Sequence, residues 1–183
     1  MLSLIPDPLH PAVVHLPIAL TLLIPLFAIG ALWFIRRGTR PRLAWGMTVA
    51  LMATLVGSGW VSLQTGEQQE ERVEDVVPEQ SLGVHEEAAD LFLAVSAGVL
   101  VVALAGLAPG KIGQAGRWLA TAGTAAVLGA GWNVGHTGGM LVYRDGAASA
   151  YTSVGSAVPA GGGEGREGSA EEKEHRRGED GQR

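Results

Sequence analysis

Apolar positions along this chain come in long unbroken blocks, not at the spacing of three or four that an amphipathic soluble helix shows. The blocks run from Pro17 to Ile35, Leu43 to Leu63, Ala88 to Ala108 and Trp118 to Val134. Each is close to the roughly 20 residues that a helix needs to cross about 30 Å of hydrocarbon. Asp90 is the only ionisable side chain inside them. The pattern predicts an all-α fold, a four-helix transmembrane bundle with helices over about 11–35, 43–64, 86–108 and 117–135. It divides the chain into an integral membrane domain, 1–147, with an acidic loop at 64–85, and a Gly-, Ser- and Glu-rich tail, 148–183. The tail has too little apolar surface to offset chain entropy and is expected to be disordered. Within the acidic loop, "EQQEERVEDVV" reads as a short helix with Val73, Val76 and Val77 on one side.

Composition agrees with a bilayer as solvent: 47% of the 183 residues are hydrophobic and 17% charged, with a formal net charge of −5. The basic residues then set the orientation, because short cytoplasmic loops carry the excess of Lys and Arg. "RRGTRPR" after the first helix holds Arg36, Arg37, Arg40 and Arg42, and the loop after the third holds Lys111 and ends at Arg117. The 64–85 loop is strongly acidic, with Arg72 its only base. Both termini and the acidic loop are therefore expected on the non-cytoplasmic side of a bacterial inner membrane. Trp33, Trp45 and Trp118 fall at the cytoplasmic ends of helices and Trp60 and Trp132 at the outer ends, reading as an interfacial belt. The N-terminus lacks the basic region and small-residue cleavage site of a signal peptide, so the first helix is expected to remain. With no cysteine, disulfides and thiolate ligation of iron–sulfur clusters or attached haem are excluded.

That orientation places four histidines at the outer face. His10 and His15 lie at the start of the first helix in "LHPAVVHLPIAL", His85 heads the third in "GVHEEAADLF", and His136 follows the fourth in "WNVGHTGGMLVY". Pro11 suits a first helical turn, where its missing donor costs little. Pro17 removes a helical bond, so the helix is expected to restart or bend there, with a second bend at Pro25. Asp90 lies about one turn below His85, and an ionisable group within a membrane helix is a functional candidate. Glu86, Glu87 and Asp90 are placed to orient an imidazole or to serve as ligands. Gly131 and Gly135 form a G-x-x-x-G that allows close helix approach, or leaves room for a flat cofactor.

At "HPAVVHLPIAL" and "HTGGMLVYRDG" the chain resembles a bacterial membrane family of no established activity, catalogued as domain of unknown function 2231. His10, Pro11, Val14, His15, Pro17, Ile18 and Ala19 match the family's opening motif, with Leu16 in place of its usual Phe. His136, Gly138, Gly139, Leu141, Val142, Tyr143 and Gly146 match its close. The resemblance covers roughly residues 7–147, leaving the tail outside. Some relatives look as though they are joined to cytochrome-c-type or Rieske-type domains, which implies a redox setting.

Three functional readings follow. The first is non-covalent haem b moving electrons at the outer face, with axial ligands drawn from His15, His85 and His136. His15 with His85 is the favoured pair, His136 the substitute, and His10 peripheral or near a propionate. A redox partner would then meet the outer face. The second is non-haem metal bound by His15, His85 and His136 with Asp90, and Glu86 as ligand or support. The third is a non-enzymatic scaffold, sensor or assembly subunit without a cofactor, its histidines structural or pH-responsive. Catalysis is not indicated: no G-x-S-x-G elbow, P-loop or dinucleotide fingerprint occurs. The acidic balance offers no basic face for nucleic acid. Besides the lipid bilayer, a second copy of the chain is the remaining candidate partner.

Overall fold

A computed structural model describes residues 10–152, and these are helical with short connections. The elements are α1 (His10–Val13), α2 (His15–Arg36), α3 (Pro41–Val73), α4 (Glu79–Ala105), α5 (Gly110–Tyr143) and a single turn, α6 (Ser149–Thr152). The four long helices, α2 to α5, form the bundle. The expectation of a disordered tail lies outside the described residues except at its start, where Ser149–Thr152 is helical.

Three of these helices, His15–Arg36, Pro41–Gln68 within α3, and Glu79–Ala105, are long and apolar enough to cross a membrane. Only 28, 22 and 17% of their most apolar windows are buried inside the bundle. Leu22, Leu26, Leu43, Val101 and Leu119 all point outward. So much outward apolar surface calls for hydrocarbon as the surrounding medium. Three such helices fit an integral membrane protein. α5 is less apolar because glycines interrupt it, yet its 34 residues give about 51 Å of helix, ample for the same crossing.

The interior has two layers. Leu20, Ile24, Met52, Leu55, Phe92 and Val127 form one, and Ala28, Ala31, Trp45, Val49, Ala103 and Ala120 the other. Helices α4 and α5 meet through small residues on α5: a side-chain carbon at Gly116 would lie 2.7 Å from the Gly106 nitrogen, and one at Gly123 2.9 Å from Val99. At Gly131 it would lie 2.9 Å from Thr21 and 3.3 Å from Phe92, and at Gly138 3.0 Å from His85. Gly135 meets nothing, so the expected G-x-x-x-G pair does not act as a pair. The working spacing is seven to eight residues, two helical turns, which keeps the glycines on one face.

Several boundaries differ from the expectation. The segment expected as an acidic loop at 64–85 is mostly helix, because α3 runs on to Val73 and α4 starts at Glu79. Val73 and Val77 are buried there and Val76 is exposed, which is how the chain turns without a long loop. Helix α5 extends past 135 to Tyr143, so His136 lies within it rather than after it. The first helix breaks at Val14, not at Pro17. Pro17 has no N–H to offer the Val13 carbonyl, so the missing bond appears four residues upstream. Val14 keeps helical dihedrals, φ −63° and ψ −19°, and the bonds from Val14 to His10 and from Ile18 to Val14 flank the gap. Pro25 is accommodated inside α2, which continues as helix through it.

The tryptophans also divide. Trp33, Trp60, Trp118 and Trp132 are exposed, but Trp45 is fully buried and donates its indole N–H to the Ala103 carbonyl at 2.8 Å. It is a core residue, not part of a belt. Around it the C-terminal end of α4 is tied down by α3 and α5: Arg117 donates to Gly106 at 2.6 Å and Arg42 to Leu107 at 3.3 Å. Carbonyls at a helix C-terminus have no partner within the helix, and these side chains supply one. Arg36 lies 5.3 Å from the Trp118 ring and Arg37 4.7 Å from the Trp33 ring, which gathers the basic residues at this end.

Candidate functional site

The antiparallel pairing fixes what sits at the opposite end. Trp45 of α3 meets Ala103 of α4, and Gly59 lies beside Phe92 and Leu93. Continuing that register carries Ser62, Thr65 and Gly66 of α3 to the level of His85. Register between α4 and α5, read from Gly116–Gly106 and Gly123–Val99, carries Thr137 and Gly138 to the same level.

Two histidines occupy this layer. His10 on α1 is half-buried, and its Nδ1 lies 2.9 Å from the Ser62 carbonyl and 3.3 Å from the Thr65 hydroxyl. The Ser62 carbonyl can only accept, so the neutral ring carries its proton on Nδ1 and its lone pair on Nε2. His85 on α4 is half-buried as well, with Nδ1 2.9 Å from the Thr137 hydroxyl. That hydroxyl is 3.1 Å from the carbonyls of Asn133 and Val134 and donates to one of them, so it accepts from His85. Here too the lone pair is left on Nε2.

Both rings are seated alike. A side-chain carbon at Gly66 would lie 3.3 Å from Cε1 of His10, and one at Gly138 3.0 Å from Cε1 of His85. Each imidazole thus rests its Cε1 edge on a glycine of a neighbouring helix and anchors Nδ1 beside it. Burial holds the His10 pKa below its ordinary value of 6.5, partly offset by the bond to Ser62.

The other expected site residues stand apart from this pair. His15 is exposed, five residues beyond His10 and so about 140° around the helix at 100° per residue. Asp90 stands in the same relation to His85 and is exposed on α4. His136 is exposed too, because the continued helix turns it about 100° from Thr137. It lines a shallow surface groove with Gly135, Gly139, Met140, Tyr143 and Arg144. Glu86 borders a second open groove with Glu74, Glu79, Gln80, Leu82 and Gly83. Among the described residues no three of the His, Asp and Glu side chains gather as a metal cluster. The structure therefore seats His10 against α3 and His85 against α5, and leaves His15 exposed. Ser62, Thr65, Gly66, Thr137 and Gly138 were not singled out as site residues from the sequence. The only sequence signal was Thr137-Gly138 directly after His136.

No protein-family model, curated protein or solved structure that was compared with the chain matches it.

Proposed function

We propose that this chain is a multi-pass protein of the bacterial inner membrane that works as a non-enzymatic sensor or scaffold subunit. Its acidic, histidine-bearing end faces outward. The observation that carries this reading is the paired seating of His10 and His85, each ring fixed through Nδ1 and resting on a glycine of another helix. His10 ties the start of the chain to α3, and His85 ties α4 to α5. Both motifs that carry the family resemblance contribute to this layer, the first through His10 and the second through Thr137 and Gly138.

Protonation would place a second positive charge in a half-buried layer. Burial disfavours the charged form of His10, so acid opposes its seating on α3. The haem reading draws less support, since a porphyrin at His85 would have to part α4 from α5 where the ring already touches Gly138.

Hydrogen exchange of the detergent-solubilised protein tests the proposal. After correction for the slower intrinsic exchange in acid, amides of α1 and of the first turns of α4 should be less protected at mildly acidic than at neutral pH, and His10→Gln should abolish the difference. Equal protection at both values in the parent chain would sink the sensor reading.

A further inference from the structure

We propose that the groove on the outward face of α5 holds the headgroup of an anionic phospholipid, with its phosphodiester on Arg144. The inference goes beyond the seating of His10 and His85 and does not depend on it. Trp132, His136, Gly139 and Tyr143 follow one another at helical spacing, which keeps them within about 60° around the axis. Trp132 and Tyr143 are 79% and 91% exposed, so this stripe faces away from the bundle. Gly135 and Gly139 form its floor, since a side-chain carbon at either would meet nothing within 4 Å. Where those side chains are missing lies a groove of about 390 Å³, walled by His136, Met140, Tyr143 and Arg144.

Depth points to a lipid. The register that sets Gly131 beside Phe92 and Gly138 beside His85 puts Gly135 level with Ala88 and Arg144 level with Glu79. Ala88 opens the apolar block of α4, and Glu79 begins its charged end. The groove therefore climbs from hydrocarbon to headgroup depth over roughly 13 Å of helix. Exposed Trp and Tyr rings collect at that boundary. Charge then selects the headgroup. At the other end Arg36, Arg37, Arg42 and Arg117 each lie against an aromatic ring or a carbonyl. Among the described residues nothing pairs with the side chains of His136, Tyr143 or Arg144. A planar guanidinium matches two oxygens of a phosphate, and the imidazole and phenol hydroxyl add donors beside it. No carboxylate lines the groove, so nothing in it would hold the ammonium of a zwitterionic headgroup. Asp145 follows Arg144, but its Oδ2 is shut away from solvent and its side chain is not part of the wall.

The test uses the full chain in detergent, with dioleoyl phosphatidylglycerol or dioleoyl phosphatidylcholine added and bound lipid counted by native mass spectrometry. The parent should retain phosphatidylglycerol in preference to phosphatidylcholine. Arg144→Gln should weaken phosphatidylglycerol binding by roughly 5-fold, the usual contribution of one basic side chain at a membrane surface. Arg144→Lys should recover part of it, as a charge without the planar fork. Gly139→Leu fills the groove and leaves Arg144 in place; its side chain points into open space, so the bundle should fold and the lipid should be lost. Lys111→Gln, at the basic end, should leave the preference unchanged. Glycerophosphoglycerol, the same headgroup without acyl chains, should not bind at the same concentration. Equal retention of the two lipids by the parent, or phosphatidylglycerol binding unchanged by Arg144→Gln or by Gly139→Leu, overturns the site. Free headgroup bound as tightly as the lipid would make the ligand a soluble phosphodiester and overturn it as well.

Discussion

A neutral imidazole that donates from Nδ1 to a backbone carbonyl has one proton arrangement open to it, and His10 is in that position. Its lowered pKa has a definite consequence for stability. The unfolded chain takes up a proton near 6.5, while the folded chain resists it to lower pH. Between those two values the unfolded state binds more protons, so stability is complete above about 6.5 and falls as pH drops toward the folded value. A melting-temperature series against pH should show this decline, and His10→Gln should flatten it. Gly138 makes a sharper claim. An alanine there places a carbon 3.0 Å from a ring atom of His85, which cannot yield as the free end of a flexible chain could. Gly138→Ala should cost about 1–3 kcal/mol, the usual range for overpacking. Gly135→Ala, three residues earlier in open space, should cost nothing measurable by thermal unfolding in the same detergent.

At the scale of elements, the α4–α5 contact depends on the absence of side chains. Gly106, Gly113 and Gly116 let the turn between the helices close, since a carbon at Gly106 would meet Trp45 and one at Gly113 the Ala108 carbonyl. Arg117 then finishes the joint by donating to the Gly106 carbonyl from a position only 8% exposed. Bonds from a charged donor contribute about 1.5–3 kcal/mol, so Arg117→Met should destabilise by that order. Arg117→Lys should recover little, because an ammonium on a flexible stem does not reproduce the planar guanidinium fork. Chemical unfolding in mixed micelles reads both. Arg117 and Trp45 also show where the sequence misleads. A cation and an indole at a helix end read as a topology signal and an interface anchor, and both turn out to be packed inward on backbone carbonyls. Each has a polar atom that could face water or protein, and nothing local to either residue decides between them.

The whole molecule is polarised. Arg36, Arg37, Arg42 and Arg117 collect at one end, tied by Arg42 to Leu107 and by Arg36 over Trp118. Among the described residues, Glu67, Glu74, Asp75, Glu79 and Glu87 lie with the two seated histidines at the other. The distribution predicts a cytoplasmic basic end. The chain has no cysteine, so single substitutions report sidedness without background. A membrane-impermeant maleimide should label the Gln80→Cys variant in spheroplasts and the Arg40→Cys variant only after permeabilisation. The reverse pattern would invert the orientation.

Local sequence was enough to determine the class of the protein. Four apolar blocks predict four long helices, three of them apolar enough to cross a bilayer, where hydrocarbon leaves backbone groups no partner but their own helix. It also placed His10, His15, His85 and His136 near one surface, since depth follows from counting residues along each helix. Which of the histidines share a layer was decided only by tertiary structure. That depends on rotation about each helix axis and on the register between helices, and both are set by glycines and buried side chains far apart in the chain. His15 and His136 lay as near in depth as His10, but their helices turn them outward.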